Sequence, residues 1–164
     1  MDIDVNLAAP AWRRVADLEN LAKACVRQSL AASGAALASN CEVSVTFCDD
    51  ETIRVLNAEW RGKDQATNVL SFPTPGAIDR KPLLGDVIIA YETVTREAEE
   101  QGKTLRAHAA HMVAHGFLHL IGYDHETPAD AERMEALERK IASALGFPDP
   151  YAEDAEGPAA GGAN

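Results

Sequence analysis

The sequence predicts one α+β domain in which a small mixed sheet of about four strands is covered by helices. Apolar residues alternate with polar ones in several short runs, whereas they recur at helical spacing in longer segments. With 164 residues, 46% of them hydrophobic, the chain is long enough to bury a substantial core. We assign residues 1–151 to this single catalytic domain. Residues 152–164 are rich in alanine, glycine and acid, and we expect a disordered tail there.

The N-terminal segment predicts a strand followed by a long helix. Residues 3–7 alternate between apolar and polar side chains, which is typical of a half-buried strand. Pro10 suits the first position of a helix, and apolar residues then follow at helical spacing as far as Ser33. We therefore predict one amphipathic helix from Pro10 to Ser33, with Trp12 in or near the core.

A second strand and helix follow, and a third strand after them. Residues 43–47 alternate like the first strand, and Asp49 or Asp50 can cap the next helix. The predicted apolar face of that helix consists of Ile53, Leu56 and Trp60. A polar loop then leads to residues 68–72, which we predict to be a strand closed by Pro73.

Residues 74–82 contain turn-forming residues and predict an exposed connection in which Arg80 and Lys81 are solvated. Residues 84–91 form the most apolar strand candidate. A strand with so little polar character is typical of the middle of a sheet, so we predict a central position for it.

Three helices complete the predicted fold. A charged helix spans residues 92–101 and is broken by Gly102. Thr104 can cap the next helix, and Thr127 with its following proline can start the last one. The predicted inward residues of the last helix are Met134, Leu137, Ile141 and Leu145, ahead of a stop at Gly146.

The run HGFLHLIGYDH at residues 115–125 carries the strongest chemical signal. Residues four apart on a helix share one face, so His115 and His119 point in the same direction. Gly122 suits the end of that helix, after which the chain can turn back and bring His125 to the same point. The spacing predicts a metal site with three imidazole ligands. The alternative is that these histidines are ordinary helix and turn residues.

Zinc sites with three protein ligands and one open position are catalytic, and we predict one zinc ion per chain. Such an ion lowers the pKa of bound water to about 7 and polarises a phosphoryl oxygen. The spacing is also that of the metzincin proteases, but Gly116 stands where those enzymes carry a glutamate base. The sequence leaves the general base open between the metal, a more distant acid and a hydroxyl of the substrate itself.

The histidine run, together with RGKDQATNVLSFP at residues 61–73 and GDVIIA at residues 85–90, resembles the YbeY family of bacterial metal-dependent endoribonucleases. The resemblance implies a zincin-like fold with the metal-binding helix across the sheet. It also implies single-strand-specific cleavage of RNA in 16S ribosomal RNA 3′-end maturation and ribosome quality control.

The resemblance further implies roles for individual residues. Arg61 corresponds to an arginine regarded as catalytic or RNA-contacting. Without the histidines, a cation that offsets the dipole at a helix C-terminus would be the preferred explanation, but together with them we favour the functional role. Lys63, Ser71 and His111 are candidates for substrate binding. His111 lies one turn before His115, so it is expected to be too far away to ligate the same ion and to support a ligand or face the substrate.

The composition limits the partners and the compartment. Net charge is −11, which is unusual for an RNA-binding protein, although many acidic residues fall in the C-terminal part. Cys25, Cys41 and Cys48 lack metal or disulfide spacing, so we expect reduced, buried thiols. No leader or apolar run of membrane-spanning length is evident. We therefore expect a cytoplasmic protein that does not associate with a membrane.

The resemblance to the YbeY family also implies ribosomal RNA and proteins of the small ribosomal subunit as partners, and we favour a monomer. Two functions remain as alternatives to an endoribonuclease. The first is a non-catalytic RNA-binding or ribosome assembly factor that zinc merely stabilises. The second is a metallopeptidase, which the glycine at position 116 disfavours.

Overall fold

The computed structural model describes residues 1–152 and contains a four-stranded sheet with five α-helices. The strands are β1 (Asp2–Leu7), β2 (Glu42–Cys48), β3 (Val69–Pro73) and β4 (Leu83–Ala90). The helices are α1 (Leu18–Ser33), α2 (Asp50–Arg61), α3 (Tyr91–Glu100), α4 (Leu105–Leu120) and α5 (Pro128–Ala144). The predicted α+β class is therefore confirmed.

The sheet is mixed, with the strand order β1-β2-β4-β3. Strand β2 pairs in parallel with β1 and β4, whereas β3 pairs antiparallel with β4. Strand β4 therefore has a partner on each side, and its Val87 and Ile89 are fully buried. The predicted central position of this apolar strand is confirmed.

Helices cover both faces of the sheet. The larger core lies between one face and helices α1, α4 and α5, and it contains Phe47, Val87 and Phe117. A smaller core under α2 occupies the other face around Ile53 and Ile88. Helix α4 packs directly on β3 and β4, so the histidine helix does lie across the sheet.

The predicted helix from Pro10 to Ser33 is wrong as a single element. A short 3-10 helix spans Pro10–Arg14, and α1 begins only at Leu18. The interruption follows from the backbone, because Asp17 adopts a left-handed conformation with φ 57°. Trp12 is fully buried and donates its indole N–H to the carbonyl of Cys48 at 2.8 Å, as its predicted core position requires.

Two side chains depart from the predicted burial. Trp60 was expected on the apolar face of α2 but is 65% exposed, because it stands near the end of the helix beyond Ile53 and Leu56. Lys81 was expected in solvent but is only 8% exposed, and its ammonium donates to the carbonyl of Thr74 at 2.6 Å. The loop between β3 and β4 folds back and supplies that partner.

The three cysteines are unpaired and buried, as predicted. Burial raises the pKa of the Cys25 and Cys48 thiols to about 12. Among residues 1–152, no helix is both long and apolar enough to cross a membrane. Apart from Ala152, the predicted disordered tail lies outside the described residues, so the division of the chain at residue 152 stays a prediction.

Candidate metal centre

Three imidazoles meet at the C-terminal end of α4. The Thr104 hydroxyl caps the start of the helix by accepting from the backbone N–H of Ala107 at 3.0 Å. At the other end, Gly122 has φ 108° and allows the chain to turn back. The Nε2 atoms of His115 and His119 are 3.1 Å apart. The ring of His125 lies 5.7 Å and 5.2 Å from theirs, measured between centroids.

The three rings fit a single metal ion. One ligand nitrogen from each of His115, His119 and His125 lies within 4.8 Å of the other two. In a tetrahedral site with zinc–nitrogen bonds of about 2.0–2.1 Å, neighbouring ligand atoms are separated by about 3.3 Å. The 3.1 Å separation of the two Nε2 atoms is close to this length. His125 is solvent-exposed, so the donor set leaves one side open.

The surroundings of His119 favour the neutral imidazole that a metal requires. Burial lowers the pKa of His119, and the neighbouring charges of His115 and His125 lower it further. The nearby backbone of Tyr123 opposes this shift without cancelling it. A neutral ring offers its lone pair to a metal without first losing a proton.

Glu138 is a site residue that the sequence analysis missed, because it counted this acid among the charges of the C-terminal part. The residue is 2% exposed and projects from α5 toward α4. One carboxylate oxygen, Oε2, faces Nδ1 of His115 at 2.5 Å. The other, Oε1, faces Nε2 of His111 at 3.3 Å and accepts from the hydroxyl of Tyr151. A buried carboxylate thus connects α5 to the histidine face of α4.

Glu138 is ionised at neutral pH. Burial acts to raise the pKa of its carboxyl, but hydrogen bonds with His111 and His115 and the charges of those rings outweigh it. The net effect lowers the pKa of Glu138 to about 2. The position on α5 is a signal that could have revealed the residue, since it lies between buried Met134 and Ile141 at helical spacing.

His111, His115 and Glu138 also satisfy the geometry of a three-ligand group. However, Nδ1 of His115 is only 2.5 Å from the carboxylate, which is a hydrogen-bonding distance. Two ligands of one tetrahedral zinc ion would lie about 3.3 Å apart. We therefore assign Glu138 as the hydrogen-bond partner of His115.

Gly116 faces the sheet, whereas the neighbouring His115 faces Glu138. A Cβ atom at this position would meet Cγ1 of Val87 at 2.5 Å and both Oγ of Ser71 and Cγ2 of Val69 at 3.2 Å. A glutamate therefore has no room here, whereas metzincin proteases carry their base at the corresponding point of the spacing. The helix needs glycine for close packing on β3 and β4.

Arg61 lies beside strand β3. Its Nη2 donates to the carbonyl of Ser71 at 2.7 Å, and its guanidinium carbon is 5.3 Å from the centroid of the Phe72 ring. The Ser71 hydroxyl donates in turn to the carbonyl of Gly116 at 2.9 Å. These contacts connect Arg61 through β3 to the residue next to His115. Catalysis by Arg61 stays a prediction.

The remaining candidates lie in different surroundings. Lys63 is exposed in the loop that follows α2. The His111 ring faces Glu138 and packs edge-on against Tyr151, with centroids 5.3 Å apart. His108, one turn earlier, is buried and faces Glu97 at 2.9 Å. Binding of substrate by Lys63, Ser71 and His111 stays a prediction.

Comparison with known proteins agrees with these features. A family model described as "Endoribonuclease YbeY" matches residues 10–146, which include strands β2, β3 and β4 and all five histidines. The chain belongs to the YbeY endoribonuclease family. The predicted family and enzyme class, a hydrolase that acts on RNA, are thereby confirmed.

Relatives of the YbeY family match over nearly the whole chain. An endoribonuclease YbeY from Methylocella silvestris is 55% identical over 151 residues, covering 92% of this chain and 86% of its own. One from Azorhizobium caulinodans is 49% identical over 160 residues, covering 96% of this chain and all of its own.

A solved structure has the same fold. The solution structure of TM1509 from Thermotoga maritima superposes with a TM-score of 0.56 and is 24% identical in sequence. The match covers 92% of this chain and 99% of TM1509. This similarity supports the fold of the YbeY-family chain and adds nothing about its substrate.

Proposed function

We propose that this YbeY-family protein is a zinc-dependent endoribonuclease that hydrolyses phosphodiester bonds of single-stranded RNA. One zinc ion per chain would be held by His115, His119 and His125. The observation that carries the zinc assignment is the 3.1 Å separation of the two Nε2 atoms, with the third imidazole close enough to complete the donor set. Borderline-soft zinc suits an all-imidazole set better than magnesium or calcium, which prefer oxygen ligands.

When bound, zinc supplies Lewis acidity toward a phosphoryl oxygen and activates water near neutral pH. The three histidine side chains would hold the zinc ion and leave it accessible from solvent. His115 and His119 are partly buried and fixed by α4, whereas His125 stands at the solvent side of the cluster. A strand of RNA can therefore approach from the side of His125.

Arg61 is proposed to bind the phosphodiester. Its guanidinium carries five N–H groups in a planar fork that matches phosphate oxygens. Within residues 1–152, the side chain is held by the contact from Nη2 to Ser71 and by the stacking on Phe72. The other donors can therefore offset the charge that develops on the phosphoryl oxygens. Lys63, on the exposed loop beyond α2, would attract the RNA backbone as a less directed charge.

Ser71 and His111 are proposed as further substrate contacts. The Ser71 hydroxyl already donates to the carbonyl of Gly116, so toward RNA it can only accept, for example from a 2′-hydroxyl. His111 is 10% exposed in its side chain, so any contact with RNA would use its outer edge.

We further propose 16S ribosomal RNA 3′-end maturation and ribosome quality control as the cellular role. Ribosomal RNA and small-subunit proteins would be the partners of a monomer that acts in the cytoplasm. Membership of the YbeY family supports this role.

The test combines zinc content, RNA cleavage and RNA binding in one set of variants. Wild type, His115→Ala, Arg61→Ala and the control Arg54→Ala would each be assayed on a single-stranded RNA and on the same sequence as a duplex. Arg54 is a matched control because it lies on α2 and is already paired with Glu51 and Asp64. Binding can be followed by fluorescence, since Trp60 is 65% exposed beside Arg61 and Trp12 is fully buried.

We expect one zinc per wild-type chain and cleavage of the single strand only. His115→Ala should lose zinc and cleavage, Arg61→Ala should keep zinc but lose cleavage, and Arg54→Ala should match wild type. Zinc with RNA binding but no cleavage would indicate the non-catalytic assembly factor. Peptide cleavage by the zinc-loaded protein would revive the metallopeptidase, and absence of zinc would overturn the proposed metal site.

A further inference from the structure

We propose that Glu138 is a positioning residue that sets the tautomer of His115 and thereby the affinity of the metal site. The inference rests on the proposed zinc site and adds a carboxylate to its three imidazoles. Glu138 comes from α5, whereas His115 and His119 lie on α4, so the positioning contact joins two separate helices.

The first step concerns the two nitrogens of His115. Nδ1 is 2.5 Å from Oε2 of Glu138, while Nε2 is 3.1 Å from Nε2 of His119. A carboxylate accepts hydrogen bonds, so it selects the tautomer in which Nδ1 carries the proton. Nε2 then keeps its lone pair on the side where the three imidazoles meet. The contact with Glu138 therefore decides which nitrogen is available to a metal.

The second step concerns what holds Glu138. Its side chain is completely buried, so water cannot compete for the carboxylate. Oε1 accepts from the hydroxyl of Tyr151 and faces Nε2 of His111. Among the described residues, Nδ1 of His111 has no hydrogen-bond partner, which favours Nε2 as the donor of that ring. The other carboxylate oxygen, Oε2, accepts from His115.

The third step concerns the effect on the metal. A carboxylate behind a ligating imidazole fixes the ring and increases the basicity of the ligand nitrogen. Loss of such a partner typically reduces metal affinity about 10- to 100-fold. Tyr151 acts indirectly, because its hydroxyl donates to the carboxylate of Glu138 and so restrains it. Its hydroxyl should therefore have a smaller effect of the same sign.

The experiment measures zinc affinity by competition with a chromophoric chelator in full-length protein. The variants are Glu138→Gln, which keeps the shape of the side chain, and Tyr151→Phe, which removes only the hydroxyl. Glu132→Gln is the control, since Glu132 lies on the same helix and is exposed. Long-range ¹H–¹⁵N NMR of the histidine rings would report the tautomer of His115 with and without zinc.

We expect Glu138→Gln to weaken zinc binding about 10- to 100-fold. It should also weaken the preference of His115 for the Nδ1–H tautomer, because the amide offers one neutral acceptor and one donor in place of two charged acceptors, and a purely structural role would not produce this effect. Tyr151→Phe should weaken zinc less, and Glu132→Gln should match wild type. If Glu138→Gln fails to fold, Tyr151→Phe decides the outcome.

Wild-type zinc affinity and an unchanged His115 tautomer in the folded variants would overturn the inference. RNA cleavage measured at saturating zinc separates this result from the proposed function. If zinc affinity depends on Glu138 but wild type cleaves no RNA, the inference stands and the nuclease mechanism fails. If His115→Ala abolishes cleavage while Glu138→Gln and Tyr151→Phe bind zinc normally, the proposed function stands and the inference fails. A wild type that binds no zinc overturns both.

Discussion

The two sides of α4 differ in what they require of the sequence. On the sheet side, Gly116 packs so closely on Val87 that even a Cβ atom would come within 2.5 Å. On the histidine side, the rings of His111 and His115 face a buried carboxylate from α5. The sheet side requires a residue without a side chain at position 116. The histidine side requires hydrogen-bond donors and acceptors that match. One helix therefore combines steric fit with polar pairing, and each can be broken separately.

The largest expected effect is on the histidine side. In zinc-free protein, Glu138→Ala should lower the free energy of unfolding by about 3–5 kcal/mol, because it leaves buried donors unpaired and opens a cavity. The exposed Glu132→Ala should change it by less than about 0.5 kcal/mol apart from helix propensity. Urea unfolding followed by circular dichroism would measure both. Equal losses of unfolding free energy in the two variants would contradict the expected difference between a buried and an exposed carboxylate.

Zinc removal should have the next largest effect. If zinc binds only the folded state, a free concentration 100 times the dissociation constant adds about 2.7 kcal/mol of stability. A chelator should therefore lower the melting temperature of wild type. His119→Ala should abolish the response to zinc while the zinc-free protein still unfolds cooperatively. A zinc-dependent shift that survives in His119→Ala would contradict the three-imidazole site.

A smaller loss is expected from Gly116→Ala on the sheet side. Overpacking against Val87 costs about 1–3 kcal/mol, whereas alanine gains about 1 kcal/mol in helix propensity over glycine. The net loss of stability should be at most about 2 kcal/mol. Val87→Ala in the same chain should recover part of it by removing the contacting methyl, and a double-mutant cycle of unfolding measures that coupling. Additive effects would contradict the steric explanation.

The smallest expected effect is on the pH dependence of stability in the zinc-free protein. Burial lowers the pKa of His108, and the hydrogen bond with Glu97 opposes that shift without cancelling it. The folded state therefore holds a neutral ring, while the unfolded state takes up a proton as pH falls below about 6.5. The contribution to stability is complete above that pH and is lost in acid.

Melting temperatures between about pH 7.5 and 5.5 would test this dependence around the ordinary pKa of histidine. His108→Gln should flatten the decline without removing it, because burial also lowers the pKa of His119. An equal decline in wild type and His108→Gln would show that His108 does not contribute to it.

Some features follow from short stretches of sequence. Strand β4 was recognisable from its continuous apolar run, and the caps at Asp49 and Thr104 from their residue types. The meeting of His115, His119 and His125 is also local, because helical spacing and a turn at Gly122 bring them together. Local periodicity carries this information since it needs no knowledge of what packs against the segment.

Other features arise only where distant segments meet. The predicted N-terminal helix is interrupted although its apolar spacing continues, because Asp17 takes a left-handed conformation that periodicity does not encode. Lys81 is buried because its loop returns to Thr74. Arg61 reaches β3 through contacts that depend on how α2 covers the sheet.

The α+β class and the grouping of three imidazoles could be predicted from the sequence alone, since both depend on spacing along the chain. The buried contact of Glu138 with His115 and the lack of room for a side chain at Gly116 arise only from how the helices and the sheet pack together. The sequence shows that α5 carries a glutamate at this position, and it does not show whether the carboxylate faces solvent or an imidazole. Only the packing of α5 on α4 removes water from it and leaves His111, His115 and Tyr151 as its hydrogen-bond partners.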